Sequence, residues 1–175
     1  PDFPALYEGF TGKELITYMA NLQGKAASLQ SQLIDQLELS QVDLGRKIKS
    51  YSRGMKQKIG IIQALQHDPS VVILDEPTEG LDPLMQQRFF DIINGCKSRG
   101  NTIFFSSHII SEVEKICDRI GILRKGRLLA VENITALKEK TTRYMDITFT
   151  KDIELPDLDL PCIISKESKA DGIRI

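Results

Sequence analysis

The sequence predicts an α/β fold in which strands carry reactive side chains at their carboxyl ends, preceded by a mostly helical segment and followed by a small α+β extension. Three observations point there. Val71-Val72-Ile73-Leu74 is an apolar, mostly β-branched run that stops abruptly at Asp75-Glu76-Pro77, the pattern of a buried strand presenting carboxylates at its edge. Thr102-Ile103-Phe104-Phe105-Ser106 is a second apolar strand, and His108 follows it much as Glu76 follows Leu74. Between them Asp82-Pro83 opens a helical pattern that runs to about Cys96, with Asp82 suited to the N-cap and Pro83 to the first turn.

Taken in chain order, Thr11-Gly12-Lys13-Glu14 has capping-box spacing and starts a stretch, residues 11–40, that is helical by pattern. Leu15, Ile16, Met19 and Leu22 share one face there, and Leu29, Leu33 and Leu37 another. Ser52 stands at an N-cap position before Met55, Ile59, Ile62 and Leu65, so its hydroxyl and the first free N–H groups form an anion-attracting helix end; taken alone, it reads better as an ordinary cap. His67, before Asp68-Pro69, sits at a helix C-terminus where a cation is favourable.

Asp75 is a hard oxygen donor suited to Mg²⁺, and Glu76 is placed to orient or deprotonate a water aimed at a phosphoryl group. Without context, both acids read equally as strand termini meeting solvent or capping the next helix. The acidic helix 111–117 then leads into a β-hairpin, two apolar runs (119–123 and 128–131) joined by Arg124-Lys125-Gly126-Arg127, and a short helix at 134–140. Beyond it, residues 144–149 alternate as a strand, 154–161 form a Pro- and Asp-rich loop, and 162–165 are strand-like.

Composition narrows the function classes. With 23 basic against 24 acidic residues, a net charge of −1, the chain has no pull towards nucleic acid or anionic lipid. Its cysteines, Cys96, Cys117 and Cys162, are odd in number and widely spaced, which reads as reduced, packed thiols. No run approaches the roughly 18 apolar residues of a spanning helix, so any membrane role is expected to come through a partner.

Three blocks in this order, Tyr51-Ser52-Arg53-Gly54-Met55-Lys56-Gln57, Asp75-Glu76 and Ser106-Ser107-His108, resemble the ATP-binding subunit of an ABC transporter. The resemblance runs from residue 2 to about residue 140. It implies a partial P-loop NTPase-like core, a parallel sheet with flanking helices, joined to an α-helical subdomain. The subdomain would occupy about 1–68, the core about 69–140, and residues 141–175 would begin a C-terminal accessory domain. Ser52, Arg53, Gly54 and Met55 match the signature motif, usually Leu-Ser-Gly-Gly-Gln, which touches the γ-phosphate of ATP held by the opposite subunit. Here Arg53 replaces a glycine and Met55 a glutamine; Arg53 adds charge near the phosphates or points to solvent.

The same resemblance makes Asp75 the metal-side acid, Glu76 the catalytic acid, Asp82 the D-loop residue coupling two nucleotide sites, and His108 the switch histidine on the γ-phosphate. Asp2 falls where many members have a metal-contacting glutamine. ATP and Mg²⁺ are the implied ligands. A second ATP-binding subunit, head to tail, and a transmembrane permease subunit are the implied partners, on the cytoplasmic face of the membrane, with the surface around residues 2–18 facing the permease. The signature and the tail look most like the exporter branch. No Gly-x-x-x-x-Gly-Lys-[Ser/Thr] occurs: at Gly12-Lys13, Tyr7 holds the first-glycine position and Glu14 the hydroxyl position. The resemblance therefore places the phosphate-binding loop and the adenine-stacking aromatic before Pro1, and these residues alone are expected to be inactive. A soluble ATPase of this type acting on ribosomes or DNA, and a non-catalytic regulatory piece, are the alternatives.

Overall fold

The computed structural model describes residues 6–136 and, beyond them, the backbone of three short strands. Contacts divide the chain into two compact units, Pro1–Cys117 and Asp118–Ile175. Asp2, Cys162, the 154–161 loop and the 162–165 strand lie outside the described residues.

The first unit opens with α1 (Gly12–Leu22), started by the expected capping box. Thr11 Oγ1 accepts from the Glu14 amide at 3.2 Å, and Glu14 Oε2 accepts from the Thr11 amide at 2.7 Å. Helix does not continue through residue 40 as its periodicity predicts. The chain breaks after Leu22, takes a left-handed turn at Gly24 (φ +61°), and resumes as α2 (Gln30–Gln36) and α3 (Gln41–Gly45). Tertiary contact overrides local pattern: the Leu29 amide bonds to the Gln66 carbonyl at 3.1 Å, anchoring the turn before α2. A 3₁₀ turn (Ile48–Ser50) then leads to α4 (Arg53–Leu65).

These helices converge on one apolar core. Leu15 and Ile16 of α1, Leu33 of α2, Leu44 of α3, and Ile59, Ile62 and Leu65 of α4 are buried, each burial contributing about 1.5–3 kcal/mol. Leu22 is 62 % exposed, so only the first part of the predicted α1 face packs.

Strand β1 (Val71–Leu74) pairs in parallel with β2 (Thr102–Phe105), and α5 (Pro83–Ser98) connects them. Helix α5 buries Met85, Phe89, Ile93 and Cys96 on one face. Burial of β1 is narrower than its composition predicts: Val72 is 3 % exposed, but Ile73 is 75 % exposed beside Phe104. Alternate strand residues point to opposite faces, and among the described residues the core covers only the Val72 side. Helix α6 (Ile110–Ile116) completes this unit.

In the second unit, β3 (Arg119–Arg124) and β4 (Arg127–Asn133) form the predicted antiparallel hairpin. Both turn residues, Lys125 (φ +51°) and Gly126 (φ +72°), are left-handed, the requirement of a two-residue turn matched to strand twist. Residues 134–136 are helical, and the rest of that predicted helix lies outside the described residues. Strands β5 (Asp146–Thr148), β6 (Glu167–Lys169) and β7 (Gly172–Arg174) pair antiparallel in the order β5-β7-β6.

Candidate functional site

The register of β1 on β2 builds the site. Leu74 lies opposite Phe105, and the Ser106 amide donates to the Leu74 carbonyl at 3.0 Å. The next residues on each strand, Asp75-Glu76 and Ser106-Ser107-His108, therefore leave the same sheet edge as neighbours. Ser106 Oγ donates to Asp75 Oδ1 at 2.5 Å and accepts from the Glu76 amide at 3.1 Å, so one hydroxyl ties both acids to the second strand. Glu76 takes a left-handed backbone (φ +42°), a conformation uncommon for residues other than glycine.

His108 Nδ1 lies 3.0 Å from Glu76 Oε1. The imidazole is exposed, and its pKa is raised above 6.5, first by the hydrogen bond to Glu76 and then by that carboxylate's charge. Beneath the pair, Thr78 Oγ1 and Ser107 Oγ both donate to buried Glu112 Oε2, at 2.9 and 2.8 Å.

The Ser52 segment packs against the same turn. Ser52 caps α4, its Oγ accepting from the Met55 amide at 3.2 Å. Arg53 forms an ion pair with Glu79, three residues past Glu76, and both side chains are partly exposed. Gly54 approaches Gly80 so closely that a Cβ on Gly54 would lie 2.9 Å from the Gly80 carbonyl oxygen. Met55 is half-buried against the core, and Gln57 Nε2 donates to the Pro77 carbonyl at 2.8 Å. Asp82 caps α5 through the Met85 amide at 3.0 Å, with Pro83 in the first turn.

Asp75, Glu76 and His108 thus meet at the ends of β1 and β2, Arg53 and Gly54 contact the turn after Glu76, Ser52 and Asp82 act as helix caps, and Asp2 is outside the described residues. Asp75, Glu76 and Ser106 offer only oxygen donors, and Asp75 is exposed. That set fits Mg²⁺, which keeps several waters and takes one or two carboxylates along with phosphate oxygens. Among the described residues, no three His, Cys, Asp or Glu side chains form an all-protein metal cage. Sequence reasoning did not single out Ser106, Thr78, Glu79 or Glu112 as parts of this site. Each is a common polar residue with a partner 26 to 34 positions away, Glu112 also bonding to Ser107 five positions before it, so only adjacency to Asp75-Glu76 and His108 hinted at the first three.

The family model described as "AAA domain, putative AbiEii toxin, Type IV TA system" matches residues 20–114, just over half of the chain. An uncharacterized ABC transporter ATP-binding protein of Nostoc sp. is 46 % identical over 146 residues, covering 81 % of this chain and 44 % of that protein. A fluoroquinolones export ATP-binding protein of Mycobacterium tuberculosis is 34 % identical, covering 81 % and 47 %. A solved structure titled as the ATP binding subunit of an ABC transporter superposes with a TM-score of 0.72 at 31 % identity, covering 80 % of this chain and 60 % of that one. The chain thus spans about half the length of the curated relatives it matches. No helix among the described residues is long and apolar enough to cross a membrane.

Proposed function

The chain belongs to the AAA-domain family and to the ATP-binding proteins of ABC transporters, and on that premise we propose that the whole protein hydrolyses Mg-ATP to power export through a separate transmembrane subunit. The observation that carries this reading is the Glu76–His108 pair, held 3.0 Å apart where two parallel strands end, with Asp75 beside it. Glu76 orients the attacking water and takes its proton. His108 holds the Glu76 carboxylate and meets the γ-phosphate when nucleotide is present. Asp75 would hold the Mg²⁺, which when bound would offset charge on the phosphate oxygens. Ser52, Arg53, Gly54 and Met55 act on nucleotide held by a second, head-to-tail subunit, and Asp82 links the two sites. Support for the exporter branch comes from the Tyr51–Gln57 segment and from the name of the mycobacterial relative. The working location is the cytoplasmic face of the membrane, by attachment to the permease.

The test is Glu76→Gln in a protein that contains the phosphate-binding loop. Nucleotide affinity is expected to persist while turnover falls by roughly 10²–10⁴-fold, since an isosteric amide cannot accept the water proton. Hydrolysis at the parent rate would overturn the assignment of Glu76 as base.

A further inference from the structure

We propose that Glu112 is a positioning residue for the Glu76–His108 pair: its carboxylate clamps the loop after β1 to the loop after β2 at the separation where Glu76 and His108 meet. The inference rests on the reading of that pair given above. Backbone pairing cannot supply the separation by itself, because the β1–β2 ladder ends at Leu74 opposite Phe105 and its last backbone bond is Ser106 to Leu74. Past that rung the two loops are joined by side chains. On one side Ser106 Oγ links the Asp75 carboxylate and the Glu76 amide. On the other, Glu112 Oε2 accepts from Thr78, two residues after Glu76, and from Ser107, one residue before His108.

The ordinary role of an acid in the first turn of a helix is to reach back to the amide of the N-cap residue. Glu112 does not do this in α6: the Ile109 amide donates to Ser107 Oγ at 3.0 Å, while the Glu112 carboxylate reaches Thr78, 34 positions upstream. Its burial also argues against a packing role. Glu112 is 4 % exposed and Thr78 3 %, and Glu112 Oε1 is buried without a hydrogen-bond partner among the described residues. A buried carboxylate with one idle oxygen is costly, and an apolar side chain would fill the space more cheaply. What an apolar side chain cannot do is accept two hydroxyls from two loops on one atom. Because Ser107 accepts from Ile109 while donating to Glu112, the clamp also fixes the backbone on both sides of His108.

The experiment uses the 175-residue chain, ¹⁵N-labelled, without nucleotide, at one pH where His108 is protonated in every variant. The readout is the His108 Nδ1 ¹⁵N shift, displaced by its bond to Glu76. Glu112→Ala is expected to lose that displacement, as is Glu76→Ala, which removes the acceptor outright, while Glu112→Gln, which keeps an acceptor oxygen, retains it. Ser107→Ala and Thr78→Val each remove one arm and are expected to reduce the displacement; they decide the matter if Glu112→Ala does not fold. A folded Glu112→Ala that lowers Tm but leaves the His108 signal at its wild-type position would overturn the proposal, since that is what a merely structural residue does. So would single-arm variants that leave the signal unchanged. No ATP enters the measurement, so its failure is distinct from a failure of the ATPase reading, which the turnover of Glu76→Gln reports.

Discussion

At the scale of the residue, the state of the site is written in the His108 imidazole. The hydrogen bond from Nδ1 to Glu76, and then that carboxylate's charge, raise its pKa above 6.5, with smaller charge contributions from Glu112 and Glu79. A group whose pKa is raised on folding stabilises the fold fully below its unfolded value and loses that contribution as pH rises through the folded one. The imidazolium–carboxylate contact is therefore expected to be complete below pH 6.5 and to weaken above it, in the window up to the raised value. An NMR titration of the ring checks this: the midpoint should lie above 6.5, fall towards it in Glu76→Gln, and fall with added salt because the pair is exposed. A wild-type midpoint at or below 6.5 would mean that the two groups do not meet in solution. The left-handed backbone of Glu76 belongs to the same picture, since it turns the acid out of the strand direction and its amide onto Ser106.

Elements meet at the site through a close approach of backbones. The first turn of α4 lies against the turn that follows Glu76, with Gly54 facing the Gly80 carbonyl, Arg53 paired to Glu79, and Gln57 bonded to the Pro77 carbonyl. Gly80 is itself left-handed at φ +78°, and a Cβ there would lie 2.9 Å from Arg53 Cγ. A clash with a flexible side chain is relieved by rotation, whereas one with a carbonyl oxygen moves a helix. Gly54→Ala is accordingly expected to destabilise the first unit by about 1–3 kcal/mol, while Glu79→Gln, which removes only a partly exposed ion pair, should cost less than about 1 kcal/mol. Urea denaturation midpoints of the two variants check the order; equal losses would show that the helix end does not bear on the turn.

Across the whole molecule, the groups proposed to activate water and to act on a neighbour's nucleotide are present, and a Gly-x-x-x-x-Gly-Lys-[Ser/Thr] cradle is not among the 175 residues. Bare backbone amides in such a loop supply most of the grip on triphosphate, so acids at a strand edge hold Mg-ATP poorly by themselves. Calorimetric titration of Mg-ATP into this chain is expected to give no measurable binding, against clear binding by a protein that also carries the cradle. Equal affinity in the two would place the nucleotide on residues other than those named here.

Local chemistry was legible in the sequence. The Thr11-to-Glu14 capping box, the Ser52 and Asp82 caps, the ends of β1 and β2, and the hairpin at Lys125-Gly126 each depend on residues within a few positions of one another. The tertiary structure alone decided the break after Leu22, the exposure of Ile73, and the register that brings Asp75 to Ser106 and Glu76 to His108. It alone turned Glu112 from a first-turn acid into a bridge between two loops. Such contacts join residues some thirty positions apart, and a hydroxyl or carboxylate at either end carries no local pattern that names its distant partner.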